Sequence, residues 1–303
     1  EKHLNYESRS EFIITCIKIY LKGRKMNRRK AITIAAGAIA GGGAGIITLM
    51  HAFRPEYMPE VKPQNLEYQN EESDRMYDPL DPAVTAELAY KQYSSGSCMY
   101  ATFKSVVSQL AEKFGEPYAS FPFHMMKYGH GGIGGFGTTC GALNGAAALI
   151  SLFFADKKIQ DSLIDGLFRW YEEAKLPEFR PKIPILDFTP PTSVSHSVLC
   201  HGSNSNWVKA SGFKITSDER KERCRRLTGD VAAQITVVLN ECYNNTYITR
   251  GHDNETVRKC MTCHGNEGKL SNTSGKMSCA SCHTESLGHK LFSDAHYKLM
   301  KDK

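Results

Sequence analysis

Two five-residue boxes carry the clearest chemistry in this chain: Cys260-Met261-Thr262-Cys263-His264 and Cys279-Ala280-Ser281-Cys282-His283. In C-x-x-C-H, two thiols can add to the two vinyl groups of haem, and the adjacent histidine then reaches the iron from one face. Each box meets that need. The expected cofactors are therefore two covalent haem c groups. Cys260, Cys263, Cys279 and Cys282 are the thioether anchors, and His264 and His283 the proximal ligands. The same cysteines also read as C-x2-C-x15-C-x2-C, the spacing of a zinc ribbon. Haem is preferred because a histidine follows the second cysteine of both pairs, where zinc has no need of one. The segment also lacks the short alternating strands of a ribbon.

The second axial ligand sets the redox role. Two histidines on one iron suit electron transfer, and an open position suits substrate binding. His289 and His296 follow the second box and His252 precedes the first, so local loops can deliver them. His124, His130, His196 and His201 would have to reach over from earlier in the chain. A ligand can also arrive from a second subunit. Fourteen residues separate His264 from Cys279. They span at most roughly 50 Å when extended, but glycines and asparagine (Gly265, Gly268, Asn272, Gly275) turn the segment, so the haems should be close neighbours.

Apart from Cys16 near the N-terminus, five further cysteines, Cys98, Cys140, Cys200, Cys224 and Cys242, lie outside the boxes. Cys140 follows a glycine-rich run (residues 131–137) and opens a predicted helix. Its sulfur would sit near free backbone N–H groups and the positive end of the helix dipole, which suits an iron–sulfur ligand. Cys224 and Cys242 are 18 residues apart and share one face of a helix. Spacing alone also allows two disulfides and a free thiol, or inert buried cysteines. Two other patterns are set aside. Gly132-x-Gly134-x-x-Gly137 matches a dinucleotide fingerprint but follows no β-branched strand. Cys200-His201 lacks an orienting partner for a nucleophile.

Composition fits these readings. Ten cysteines in 303 residues are many for a reduced cytosolic protein. The formal net charge is +6, but Arg24, Lys25, Arg28, Arg29 and Lys30 carry part of it near the N-terminus. With no nucleic-acid-reading motif present, no nucleic-acid partner is expected.

The elements that must position this chemistry read as mainly α: a helical domain followed by an irregular dihaem segment. Residues 1–25 are expected to be upstream sequence, because Met26 opens a better start. Residues 26–52 form a charged, then weakly apolar export signal with a twin-arginine pair, Arg28-Arg29, or an uncleaved membrane anchor. Either places the remainder outside the cytoplasm, in the periplasm. Residues 53–82 are an extended lead-in. Residues 83–245 form the cysteine-containing helical domain. It has predicted helices over 83–94, 98–114 (Cys98, Thr102, Val106 and Leu110 on one stripe) and 139–154 (apolar nearly all round). A further stripe runs from Ile159 to Tyr171. A proline-dotted loop covers 176–191. A last helix spans 218–243, with Thr216 and Glu219 as a capping box. Residues 246–303 hold few large apolar side chains and need a cofactor to organise them.

The combination resembles the split-Soret cytochromes c, periplasmic dihaem proteins of anaerobic bacteria. The helical part resembles redox-active proteins named for a C…GCAxxG…C…C pattern. Gly96-Ser97-Cys98 with Ala101 is similar to the first cysteine box, and Cys140-Gly141-Ala142-Leu143-Asn144-Gly145 to the central one. Thr139 precedes that cysteine and Gly141 follows it, a departure from the pattern. Cys200, Cys224 and Cys242 supply the later cysteines, one more than the pattern requires, so which of them correspond stays open. The resemblance implies a homodimer with four packed haems, bis-histidine ligation, an iron–sulfur cluster in the helical domain, and service in anaerobic respiration. The expected function is electron transfer between redox protein partners. The alternatives are a haem/iron–sulfur oxidoreductase acting on a small oxidant and a zinc-ribbon interaction module. Membrane contact is expected only if the N-terminal signal stays uncleaved.

Overall fold

The structure is a computed structural model and describes residues 76–249 and 254–279. The export signal, nearly all of the lead-in, Cys282, and the histidines 252, 283, 289 and 296 lie outside the described residues.

The described chain is mainly α, as expected. Helix α1 (Pro82–Phe114) begins where the Asp81 carboxylate accepts from the N–H groups of Ala83 and Val84, with proline at the first helical position. The two stretches predicted over 83–94 and 98–114 are one helix interrupted at Ser97, whose φ of 65° and ψ of −168° break the spiral. A 3-10 turn (Phe123–Gly129) and the glycine-rich loop lead to α2 (Gly141–Phe153). Helix α3 (Lys157–Glu173) is capped by Asp156, which accepts from Lys158 and Ile159. Its predicted stripe turns inward: Leu163, Leu167 and Tyr171 are buried.

The proline-dotted segment is a loop, bracketed by the two-residue strands β1 (Lys175–Leu176) and β2 (Ser193–Val194). Such a loop cannot satisfy its own backbone, so side chains of the helices do it. Asp230 accepts from the N–H groups of Glu178 and Phe179. The Tyr90 hydroxyl accepts from Ile185 N–H, and Arg226 donates to Phe188 O.

Helix α4 (Cys200–Ser211) has no counterpart in the sequence reading, because its polar run of Gly, Ser and Asn carries no apolar stripe. Helix α5 (Asp218–Tyr243) has the predicted bounds, but its cap is Ser217, which accepts from Arg220 N–H, rather than a Thr216/Glu219 box. Helix α6 (Glu255–His264) is a short helix inside the segment expected to be irregular, capped by Asn254.

Helices α1, α2 and α5 pack around one core that includes Phe103, Val106, Leu110, Leu143, Leu149, Ile150, Val231 and Ile235. Helix α2 lies close on α1 because residue 145 is glycine. A Cβ there would stand 2.6 Å from Met99 O. Among the described residues no helix is long and apolar enough to cross a membrane. A Gly145→Ala chain must push the two helices apart. It is expected to lose about 1–3 kcal/mol of stability, read as a lower midpoint in denaturant unfolding. An unchanged midpoint would contradict the close approach.

Candidate metal centre

Four cysteines from four helices line one enclosed cavity: Cys98, Cys140, Cys200 and Cys224. Cys98 follows the break at Ser97 in α1. Cys140 caps α2, Cys200 is the first residue of α4, and Cys224 lies in the second turn of α5. The glycine-rich loop makes the meeting possible. Its glycines 131, 132, 134, 135 and 137 all take positive φ, a conformation that other residues adopt only with strain. The loop then pairs with residues 198–201. Cys140 N–H donates to Val198 O (2.8 Å), Cys200 N–H to Thr138 O (2.6 Å) and His201 N–H to Gly137 O (3.0 Å).

Glycine at 141 leaves room for sulfur. A Cβ there would stand 2.4 Å from both Cys98 Sγ and Gly129 O. Donors surround the sulfurs. Ala142 and Leu143 N–H groups face Cys140, while the Tyr171 hydroxyl at the cavity donates to Ser203 Oγ (2.8 Å). Asn204 Nδ2 donates to Cys200 Sγ (3.2 Å), Arg223 Nη1 stands 3.9 Å from Cys224 Sγ, and Met99 N–H faces Cys98.

Burial wins over these donors in the bare chain. It pushes the Cys98 and Cys140 thiols up, and Cys200 up to about 12, with neighbouring thiols adding to the effect. Four thiolates in this cavity would need a cationic group between them. The chemistry of the donor set fits iron in a thiolate cage: four sulfurs, hydrogen-bond donors aimed at them, and the buried guanidinium of Arg223, whose Nε has no partner. Among the described residues, no three such side chains close on a single ion. The cysteines surround a space instead of meeting at a point.

Cys242 is not brought to the cavity. It is buried in the core beside Glu241, its thiol also raised to about 12 by burial. Its 18-residue separation from Cys224 along α5 amounts to about 27 Å. Tyr93, Ser203, Asn204 and Arg223 line the cavity without having been singled out in sequence, and Tyr171, which ends the predicted stripe, was read there as core only. Asn204 lies one helical turn after Cys200, so recognising α4 would have exposed it.

In the segment that bears the C-x-x-C-H boxes, Cys260, Cys263 and His264 share one face of α6 by their i, i+3, i+4 spacing. Asn272 Oδ1 stands 2.9 Å from His264 Nδ1. With Nδ1–H donating there, Nε2 remains for iron. The Cys279 sulfur stands 3.8 Å from Met277 O, and burial first, then the nearby Cys260, pushes its thiol up. Among the other described histidines, 124, 130, 196 and 201, none lines the cysteine cavity.

In metal-free protein, alkylation of Cys200 is expected to keep rising about tenfold per pH unit past pH 10, because the thiolate is the reactive form. Mass spectrometry of the modified peptide reads this. A plateau below pH 9 would contradict the burial of the thiol.

The family described as "Putative redox-active protein (C_GCAxxG_C_C)" matches residues 100–238, a range that holds Cys140, Cys200 and Cys224. The chain is 40% identical over 217 residues to split-Soret cytochrome c of Desulfovibrio desulfuricans, covering 68% of this chain and 76% of that protein. A solved structure, described as a novel iron centre in the split-Soret cytochrome c of that organism, is similar at a TM-score of 0.67. It is 36% identical, over 72% of this chain and 92% of the other. On the four-cysteine cavity, the two haem boxes and this similarity, the chain belongs to the split-Soret cytochrome c family.

Proposed function

We propose that this chain is an exported dihaem cytochrome c that carries an iron–sulfur cluster in the four-cysteine cavity and transfers electrons, as a homodimer, in the periplasm. The observation that carries the reading is the convergence of Cys98, Cys140, Cys200 and Cys224 on one buried cavity in a chain that also bears two C-x-x-C-H boxes. The solved relative's description names an iron centre, which supports iron over other metals.

Bound haem and cluster supply one-electron chemistry. The protein's part is to hold and tune them. Ala142, Leu143, Asn204 and Arg223 aim donors at sulfur, which stabilises the thiolate form and its more reduced partner. Cys260, Cys263 and His264 present one helical face to the first haem, with Asn272 fixing the imidazole. Cys279 begins the second box; Cys282 and His283 complete it. The two distal positions are proposed to be filled from among His252, His289 and His296.

Electron transfer is preferred over turnover of a small oxidant because histidines 252, 289 and 296 lie near the two C-x-x-C-H boxes in sequence, which suits iron with two histidine ligands and no open position. The positively charged 26–52 segment, with its twin arginines, supports export, as does covalent haem itself.

Total iron per chain is expected to exceed haem iron from a pyridine haemochrome assay, with two haems per chain and no zinc. Iron equal to haem would contradict the cluster. In Gly141→Ala, the added methyl displaces Cys98 Sγ. That chain is expected to keep both haems and lose most of its non-haem iron, and retention of the full iron content would count against the assigned ligand set.

A further inference from the structure

The glycine-rich loop has two faces. Its inner face belongs to the centre: Gly131 lines the cysteine cavity, and a Cβ on Gly132 would stand 2.8 Å from Cys200 Cβ. Its outer face carries apolar side chains into solvent. Phe136 is 87% exposed, more than any other large apolar side chain among the described residues, and Met125, Tyr128 and Ile133 are exposed with it. The backbone brings these four together. Gly134 N–H donates to Tyr128 O (2.8 Å), Gly135 N–H to His130 O (3.1 Å) and Phe136 N–H to Ile133 O (3.1 Å). Met125 precedes Tyr128 by one turn of the 3-10 helix. The apolar tip is thus presented by a loop tied down through its own backbone. Ile133 is held at a φ of 59°, which a β-branched residue adopts only at a cost. Glycine would remove that cost, yet the residue is an exposed isoleucine. The stability of the loop accounts for neither Ile133 nor Phe136.

Charge in the pairing segments has one sign. No Asp or Glu occurs in residues 117–155 or 188–217, the two stretches that meet at the base of the loop. His130 lies in the loop itself, and His124 and Lys127 are exposed in the 3-10 turn before it. His201 lies against Gly137, where a Cβ would stand 3.2 Å from His201 Cβ. Lys104 joins Lys127 from α1. Their Nζ atoms stand 5.3 and 5.6 Å from the centroid of the same ring, that of Tyr100.

We propose that this outer face is the docking surface for an acidic redox protein, one whose own apolar patch is ringed by carboxylates. Encounters between redox proteins use small interfaces, with an apolar centre and a charged rim that steers approach. Phe136 and its neighbours supply the centre, and Lys104 and Lys127 the rim. A protein seated there is separated from the cysteine cavity by the thickness of the loop. The value of that position for electron exchange rests on the cluster proposed above; the docking itself does not. Two other occupants fit less well. In a pairing of two copies the same acid-free face would meet itself and set like charges opposite each other. An anionic membrane is held by an amphipathic helix or by clusters of about four to eight Lys and Arg, whereas this face offers a short glycine loop and two lysines.

The test uses the holoprotein and two defined probes, an acidic ferredoxin and an acidic flavodoxin, with binding read by isothermal titration calorimetry. Saturable binding of at least one probe is expected at low salt, weakening about tenfold from about 20 to about 200 mM salt. Phe136→Ser is expected to weaken binding about tenfold, the cost of losing a central aromatic. Lys127→Glu should weaken it by about as much at low salt and flatten the salt dependence. Ile133→Gly separates docking from folding. Its binding should weaken severalfold while the midpoint of denaturant unfolding stays level or rises, because the strain at that position is relieved. No saturable binding of either probe at low salt, or equal affinity in Phe136→Ser and the wild type, would overturn the proposal. Cosedimentation with phosphatidylserine-containing vesicles that is lost in Phe136→Ser would give the face to a membrane instead. Self-association in sedimentation velocity that is lost in Phe136→Ser would give it to a second copy. Non-haem iron is measured in the same preparations: iron equal to haem with docking intact removes the cluster and leaves the docking surface standing.

Discussion

The centre depends on a short piece of backbone pairing. Residues 137–140 and 198–201 exchange hydrogen bonds at 2.6–3.0 Å, and this places Cys140 and Cys200 side by side although they lie sixty positions apart in sequence. The pairing is irregular, a single bridge between Thr139 and Leu199 rather than a ladder. It forms because the glycine-rich loop supplies the positive φ angles that reverse the chain just before it. Helices α2 and α4 then start from the two cysteines themselves, so sulfur sits where backbone N–H groups are unsatisfied. The remaining two cysteines are delivered by helices packed on that pair: Cys98 by the break in α1 and Cys224 by α5.

Around this junction the helical domain buries more charge than an ordinary core. Glu222, fully buried, accepts from the Tyr90 hydroxyl and from Arg225 and Arg226. Arg226 in turn closes the proline-dotted loop. Arg223, on the neighbouring face of α5, reaches Ser203 and Cys224. One helix therefore uses successive arginines for opposite purposes, one holding a loop and one lying beside sulfur. On the proposed reading, a four-thiolate iron group would carry net negative charge, which Arg223 and Arg220 at the cavity would offset.

Much of this was legible in the residues. The helical class, the bounds of α5 and the helix-opening position of Cys140 follow from spacing and periodicity. The capping residue of α5 did not, because Thr216 and Ser217 both offer a hydroxyl at the helix start and only the geometry selects Ser217. Helix α4 was invisible because it is polar and small-residued, held by its neighbours rather than by an apolar stripe. With α4 missed, Asn204 and Ser203 could not be placed. The choice of four cysteines from five was also beyond spacing. Cys224 and Cys242 share a helix face, and what separates them is length along α5, which matters only once the partner cysteines are positioned.

The central claim is that Cys98, Cys140, Cys200 and Cys224 hold non-haem iron and Cys242 does not. The direct measurement is non-haem iron, with the electron paramagnetic resonance of the reduced protein, across five single Cys→Ser chains. The expected result is full iron and an unaltered signal in Cys242→Ser, and lost iron or an altered signal in each of the other four. Full iron and an unaltered signal in Cys200→Ser, or loss in a folded Cys242→Ser, would contradict it.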